Sequence, residues 1–531
     1  MTKRSLIFDQ LWAASADRPP WIFDRGSDAV EVKDGQVRLR KIAIAAGKAA
    51  TLFEAQGTRP GDRCVVWLDT PLDIMIAAVA LTAIGAVPVL ISPALGIDML
   101  TQMLAPVPPV DRVITTAARL PSSAALTVRV RTDDWASLVA EASHLEPRRV
   151  SLSLPPTAPY VITHTSGTTG VNKLVMYSRE STDHNSLTQE IPAKLQRLRG
   201  YAAISFSPVH FRFIVGLLAA LRRKVPAIIL ADEDPVSVGK ILRRWQPSYL
   251  EAHPNTFMKW EPLGPAGALA SVKCFLATFD VIHRGTVKNL LAGSRYPFAL
   301  FWEIYGQSEL CSVSGVLHVR GFVERNWWRG VERRLSGHLV GWGVPGHSRI
   351  RIVDADGATV SSGVAGRIQV RAKGSFTTYV NRPEAVGANL TADGWWDTGD
   401  WGKMDRLGRV SLLDRQVERL TAAPSAIALE DVLLDRMPWL LEAVVLERDN
   451  ELVPVVATRG GPLNVVRWRA ATRDLPFASR QPVVFDECDI PRTATGKVQR
   501  AVLAERVAAV RDGLAAVPVA VAVEQAEELQ P

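Results

Sequence analysis

The chain has 531 residues, a formal net charge of +8, 47% hydrophobic residues and 22% charged residues. That length exceeds one ordinary domain and predicts two to four units, the largest able to bury a sizeable core. The positive excess lies in short scattered clusters, such as Arg222-Arg223-Lys224 and Arg333-Arg334, without interleaved aromatics; this speaks against nucleic acid and suits a solvated surface or an anionic substrate such as a nucleotide.

Met1 to Arg18 lacks a long apolar core and a cleavage site, so no signal peptide is expected. Apolar residues recur at helical spacing from Arg38 to Gln56, and Gly57 with Pro60-Gly61 stops that helix. Arg63 to Leu68 predicts a strand, Leu72 to Ile84 a helix and Ala86 to Ile91 a buried strand. The uncharged run Ile74 to Ile97 is long enough for a membrane span, but Gly85, Pro88 and Pro93 break it into helix, strand and turn. A cytoplasmic protein without a membrane span is expected. Apolar segments return at Ala202 to Phe206, Gly216 to Leu221, Pro226 to Leu230 and Val236 to Trp245. This alternation predicts an α/β fold with layered, mostly parallel sheets. Ser348 to Asp354 and Gly366 to Arg371 predict strands of antiparallel style. After Asp414 a smaller α+β unit begins, with a helix at Leu429 to Arg436 and strands at Ala443 to Leu446 and Leu452 to Thr458. The tail beyond Gly513 is expected to be loosely ordered. Cys64, Cys274, Cys311 and Cys488 lie far apart without zinc or redox spacing, which predicts buried free thiols.

Four motifs carry chemistry. The first is Thr165-Ser166-Gly167-Thr168-Thr169-Gly170-Val171-Asn172-Lys173, after an apolar strand. Its glycines let the backbone turn closely, and its hydroxyls and amides can cradle phosphate oxygens. It is not a Walker loop, because Leu174 follows the lysine. The second is Glu303-Ile304-Tyr305-Gly306-Gln307-Ser308-Glu309: a tyrosine can stack on a base, a serine can bond phosphate and a carboxylate can bind magnesium. The third is Gly394 to Asp400, followed by Asp414-Arg415, where Asp400 could accept ribose hydroxyls. The fourth is Pro491 to Lys497. Each motif alone also fits a surface loop or turn.

Their order and spacing resemble the superfamily of adenylate-forming enzymes: acyl- and aryl-CoA synthetases, the adenylation domains of peptide synthetases and firefly luciferase. The resemblance runs from Pro60-Gly61-Asp62-Arg63 to Lys497. It implies an N-terminal adenylation domain over 1–415, a small mobile C-terminal domain over 416–513 and a tail over 514–531. It implies ATP-binding roles for Thr165, Ser166, Gly167, Thr168, Thr169, Gly170, Lys173, Asp280, Glu303, Tyr305, Gly306, Ser308, Asp400 and Arg415. Glu309 is the implied magnesium ligand, Lys497 the lysine bridging acid and phosphate, and His210 a histidine beside the carboxylate. Expected walls of the acid pocket are Phe211, Phe213, Phe279, Trp302 and Leu310, suiting an apolar or aromatic body.

The chain also departs from this pattern. The usual Gly-Gly-Ala loop near the adenine is Ala277-Thr278-Phe279-Asp280-Val281-Ile282, whose bulk should reshape the adenine and acid pockets. After the hinge, Val417, Thr421 and Pro424 stand where thioester-forming members commonly carry a Lys or Asp, a lysine and a glycine. Proline provides neither the backbone freedom of glycine nor an amide donor. Three readings follow: an enzyme that makes the adenylate and stops, or passes it to a partner enzyme or an amine; a complete acyl-CoA synthetase with an unusual tunnel; and a noncatalytic nucleotide-binding protein. ATP and magnesium are required by the first two and CoA by the second alone. Lys497 and Glu309 argue against the third.

Overall fold

The structure is a computed structural model that describes residues 7–165, 170–191, 199–321, 337–459, 461–493 and 496–511. Residues 166–169 of the first motif, the Arg333-Arg334 pair and the tail beyond Gly513 lie outside the described residues.

Two large sheets form the body. In one, the parallel strands Pro159–His164, Val87–Leu90, Arg63–Val66, Val110–Thr115 and Val128–Asp134 lie side by side, and antiparallel Leu174–Ser178 and Thr378–Tyr379 extend it. The other runs in parallel from Ala202–Ser205 through Tyr249–Ala252 and Cys274–Ala277 to Leu300–Gln307, then turns antiparallel at Cys311–Val319. Its far edge pairs Ser348–Val353 with Ala365–Ala372, antiparallel as their polar turns predict. The α/β reading therefore holds, but the sheets are mixed, not mostly parallel, because the larger one continues as a long antiparallel half beyond Leu300–Gln307; both motif strands lie where the two sheets change direction.

The helix Leu39–Ala55 ends at Gln56, one residue before Gly57 takes the positive φ of 91° that a side chain disfavours. Helix Pro71–Ala83 is buried along its whole length, with Thr70 capping it and Pro71 at its first position. Strand Val87–Leu90 follows it, so the uncharged run is core. Among the described residues no helix is long and apolar enough to cross a membrane. The free thiols divide: Cys64 and Cys274 are buried as expected, but Cys311 is half-buried and Cys488 is exposed on a short turn that packs little around it.

After Arg415 the chain forms a helix at Ala426–Arg436 and an antiparallel pair, Leu440–Arg448 with Glu451–Thr458. Leu429, Leu433, Val445, Trp468 and Phe477 make a hydrophobic cluster of their own there, separate from the body's.

Candidate active site

The connection from strand Pro159–His164 to its antiparallel partner is closed at its neck by Thr165 and Lys173. The Lys173 amide donates to Thr165 Oγ1, and the Thr165 amide donates to the Lys173 carbonyl, both at 3.0 Å. Gly170 and Lys173 line a cavity of about 260 Å³, and Lys173 Nζ stands 4.7 Å from the centre of the Tyr379 ring. Ser166, Gly167, Thr168 and Thr169 lie outside the described residues.

The second motif forms the opposite wall. Ile304, Gly306, Gln307, Ser308 and Glu309 all line the cavity. Gly306 is required by close approach: a Cβ there would fall 1.8 Å from the Cys311 carbonyl oxygen. The Tyr305 hydroxyl donates to Asp400 Oδ2 at 2.5 Å. Burial and then the Asp400 carboxylate push that phenol well above its usual range, so it stays protonated. Gln307 Nε2 also donates to Asp400 Oδ2 (3.1 Å), and Arg415 Nε lies 3.1 Å from Oδ1. Asp400 is thus buried and fixed by three partners, while Arg415 remains half-exposed and lines the cavity.

Glu309 accepts a hydrogen bond from the Tyr379 hydroxyl at 2.5 Å. Its carboxylate lines the cavity and keeps further acceptor positions. Among the described residues no group of three or more His, Cys, Asp or Glu side chains could hold a metal. The donor set fits magnesium carried largely by phosphate oxygens and water, with one carboxylate from the protein.

The smaller C-terminal unit contributes Lys497, which lines the same cavity. Its loop is closed by mutual bonds with Thr493 and docked on the body by Asn255, whose Nδ2 donates to the Gly496 carbonyl at 2.8 Å. His210 faces Lys497's cavity and also a second, larger cavity of about 760 Å³ between the body and the C-terminal unit. Burial, then His253 and His164, push His210 well below its usual range, so its imidazole is neutral. Burial likewise pushes His253 down to about 4. The Phe279 ring packs against both, 5.1 Å from His210 and 4.4 Å from His253. Phe279 takes a φ of 82°, the left-handed backbone that favours glycine. The ring lines the smaller cavity beside His210.

The structure does not bring every expected residue to the cavity. Glu303 is buried and bound by His338 and, at 3.3 Å, by His318, so its carboxylate serves an ion-pair cluster between strands. Asp280 is exposed and accepts from the Val281 amide. Of the expected acid-pocket walls, Phe211 and Phe279 line the cavity. Phe213 and Leu310 are buried in the main core, and Trp302 lies further down its strand, outside the lining. Aromatic character alone does not separate core from pocket. Arg212, Asn255 and Tyr379 were not singled out from the sequence; their positions depend on contacts between segments more than 35 residues apart.

Lys173, Glu309, Arg415 and Lys497, drawn from all four motifs, thus line one cavity. The chain is a member of the AMP-binding enzyme family, whose pattern matches residues 25–380, and so of the adenylate-forming ligases. It is 36% identical over 499 residues to 3-amino-2-hydroxy-4-methoxybenzoate diazotase of Streptomyces cremeus, covering 87% of this chain and 88% of that one. It is 26% identical over 485 residues to a 4-chlorobenzoate–CoA ligase of Arthrobacter, covering 86% and 87%. The fold matches ATP-bound MatB from Rhodopseudomonas palustris with a TM-score of 0.78 at 20% identity, over 95% of this chain and 99% of that one.

Proposed function

We propose that this enzyme uses ATP and magnesium to convert an acid into its adenylate and passes the activated group to an amine, not to CoA. The observation that carries the acceptor is the segment after Arg415. Val417 is 78% exposed and offers no charge. Thr421 donates through both its amide and its hydroxyl to the Glu447 carboxylate, so the position is tied back onto strand Leu440–Arg448. Pro424 then fixes the backbone. A loop built this way presents neither a cation nor a freely turning backbone to a pantetheine arm.

The proposal gives each residue around the cavity a part in the adenylation half of the reaction. The acid's oxygen attacks the α-phosphorus and pyrophosphate leaves, so catalysis is positioning and charge stabilisation. Lys497 reaches the cavity from the C-terminal unit and can bridge the two anions. Tyr305 and Asp400 hold the nucleoside, and Thr165 with Lys173 and Ser308 face the phosphates. Magnesium held by Glu309 and phosphate oxygens supplies charge neutralisation for the leaving group. The neutral His210 orients the acid without adding charge. The hinge lies near Gln416 and Val417, and 416–513 forms the mobile unit that withdraws Lys497 after adenylation.

A second reading concerns which acid is activated, and the 36% identical relative named a diazotase favours it. Diazotisation adds to an aryl amine one nitrogen at the oxidation level of nitrous acid. Nitrite is an anion whose oxygen could attack the α-phosphorus with loss of pyrophosphate. The amine then attacks the nitrogen and releases AMP, and loss of water leaves the diazonium group. Phe279 narrows the cavity beside His210, which suits so small an acid. The test is mass spectrometry of reactions with ATP, magnesium and either carboxylic acids or nitrite, with CoA or an aryl amine added. Amine-dependent release of AMP supports the proposal; rapid formation of a CoA thioester contradicts it.

A further inference from the structure

A nearly buried carboxylate joins the C-terminal unit to the body. Asp431, on helix Ala426–Arg436, accepts from His283 Nδ1 at 2.6 Å and from the Arg284 amide at 3.3 Å. Both partners belong to the body, where His283 stands just before helix Arg284–Gly293. Arg284 Nε lies 3.8 Å from the other carboxylate oxygen. The side chains of His283 and Asp431 are 10% and 11% exposed. The body makes room for the imidazole: a Cβ on Gly285 would fall 2.8 Å from His283 Nε2. Burial would raise the Asp431 carboxyl, but the hydrogen bond and charge of His283, then Arg284, hold it well below the usual carboxylate range.

The residue before it binds within the C-terminal unit. Glu430 accepts from Arg500 Nη2 through both oxygens, at 2.7 Å each, and from the Val445 amide at 2.7 Å. Arg500 comes three residues after Lys497 and opens helix Arg500–Arg511. Side by side on one helix, Asp431 grips the body and Glu430 grips the segment that carries the lysine.

Folding of either unit does not require the Asp431 contact. Ile282 and Val287 pack in a core of the body, and Leu429, Val432 and Leu433 pack in the core of the C-terminal unit. Removing one partner of a buried pair leaves the other without its bond only while the units are docked; apart, water hydrates it. The loss therefore falls on the docked arrangement.

We propose that Asp431 is a positioning residue: by binding His283 and Arg284 it latches the C-terminal unit onto the body and so keeps Lys497 in the cavity. This rests on the reading above, in which Lys497 acts from a mobile unit. Asn255 ties the lysine loop itself, and Arg459 lies 3.8 Å from Glu261, with side chains 33% and 17% exposed. Asp431 is the more deeply buried tie. Withdrawal of Lys497 has to break it, so its strength sets the balance between docked and withdrawn enzyme.

Spin labels test the latch without any acid. Phe298→Cys on the body and Val466→Cys on the C-terminal unit are exposed positions, and Cys488→Ser removes the exposed native thiol. With ATP and magnesium bound, labels at the two new thiols should give one dominant distance. Asp431→Ala or His283→Ala should raise the share of a second distance about tenfold, and the two together should add little to either alone. Alanine suits a helix interior better than aspartate, so the helix is not weakened. Tm and ATP affinity should hold, while the kcat of ATP–pyrophosphate exchange with nitrite or benzoate should fall about tenfold. An unchanged distance distribution in both single variants overturns the latch. If the second distance appears and exchange is undiminished, the latch stands and the reading in which Lys497 works from the docked unit falls.

Discussion

Asn255, on the body of the protein, donates a 2.8 Å hydrogen bond to the carbonyl of Gly496, the residue before Lys497. One amide side chain thus ties the lysine's loop to the body. Lys497→Ala should lower acid-dependent ATP–pyrophosphate exchange by roughly 10²- to 10³-fold with the fold intact, since the lysine sits on a polar loop. Asn255→Ala removes only the docking bond and should cost about tenfold. Exchange rates and circular dichroism spectra of both variants check this. Near-normal exchange in the lysine variant would remove Lys497 from the mechanism.

The Tyr305–Asp400–Arg415 chain of contacts is the proposed nucleoside side of the site. Asp400→Ala removes the acceptor for Tyr305, Gln307 and Arg415 together and should weaken ATP more than Tyr305→Phe, which loses one bond and keeps the ring. Titration calorimetry with ATP and magnesium measures both. Equal affinities would mean that the aspartate does not organise the site.

Gly306→Ala drives a methyl group into the Cys311 carbonyl. Overpacking of this kind costs about 1–3 kcal/mol. The variant should melt several degrees lower and bind ATP poorly. An unchanged Tm would show that the strand can shift without cost.

Glu303 offers a pH test that separates scaffold from site. Burial would raise its carboxyl, but His338 and then His318 outweigh it and hold it at about 2. Its contribution is present above the ~4.3 of a free glutamate and is lost as pH falls towards 2. His338 is raised: burial opposes its charge, and Glu303 outweighs burial. Its contribution is present below ~6.5 and is lost as pH rises through the folded value. Glu303→Gln should therefore lower Tm most between about pH 4.3 and 6.5, where both contributions are complete, and leave ATP affinity nearly unchanged. Lost ATP binding at unchanged Tm would return Glu303 to the nucleotide site.

The sequence made some of these features legible and not others, for physical reasons. Helix Leu39–Ala55 and the strand pair after Arg436 could be read because the signals are local: Gly57 and Pro60 stop the helix, and short continuous apolar runs mark the strands. Motif spacing was enough to place Gly306 and Lys497 in one region, and both line the same cavity. Glu303 was misplaced because its partners, His318 and His338, come from later strands. Phe213 reads as a pocket wall in the sequence but packs in the core, because an aromatic side chain serves either place equally well. Arg212 and Glu251 form a pair only once a helix and a strand 39 residues apart are packed together.

Quenched-flow mass spectrometry of the bound adenylate tests the choice of acceptor most directly. The enzyme, loaded with its acid, ATP and magnesium, is mixed with CoA in one syringe and with an aryl amine in the other. The account predicts that the adenylate persists with CoA, because Thr421 is held by Glu447 and Pro424 stiffens the loop, and that the amine consumes it with release of AMP. Rapid, CoA-dependent consumption with formation of the thioester would contradict it.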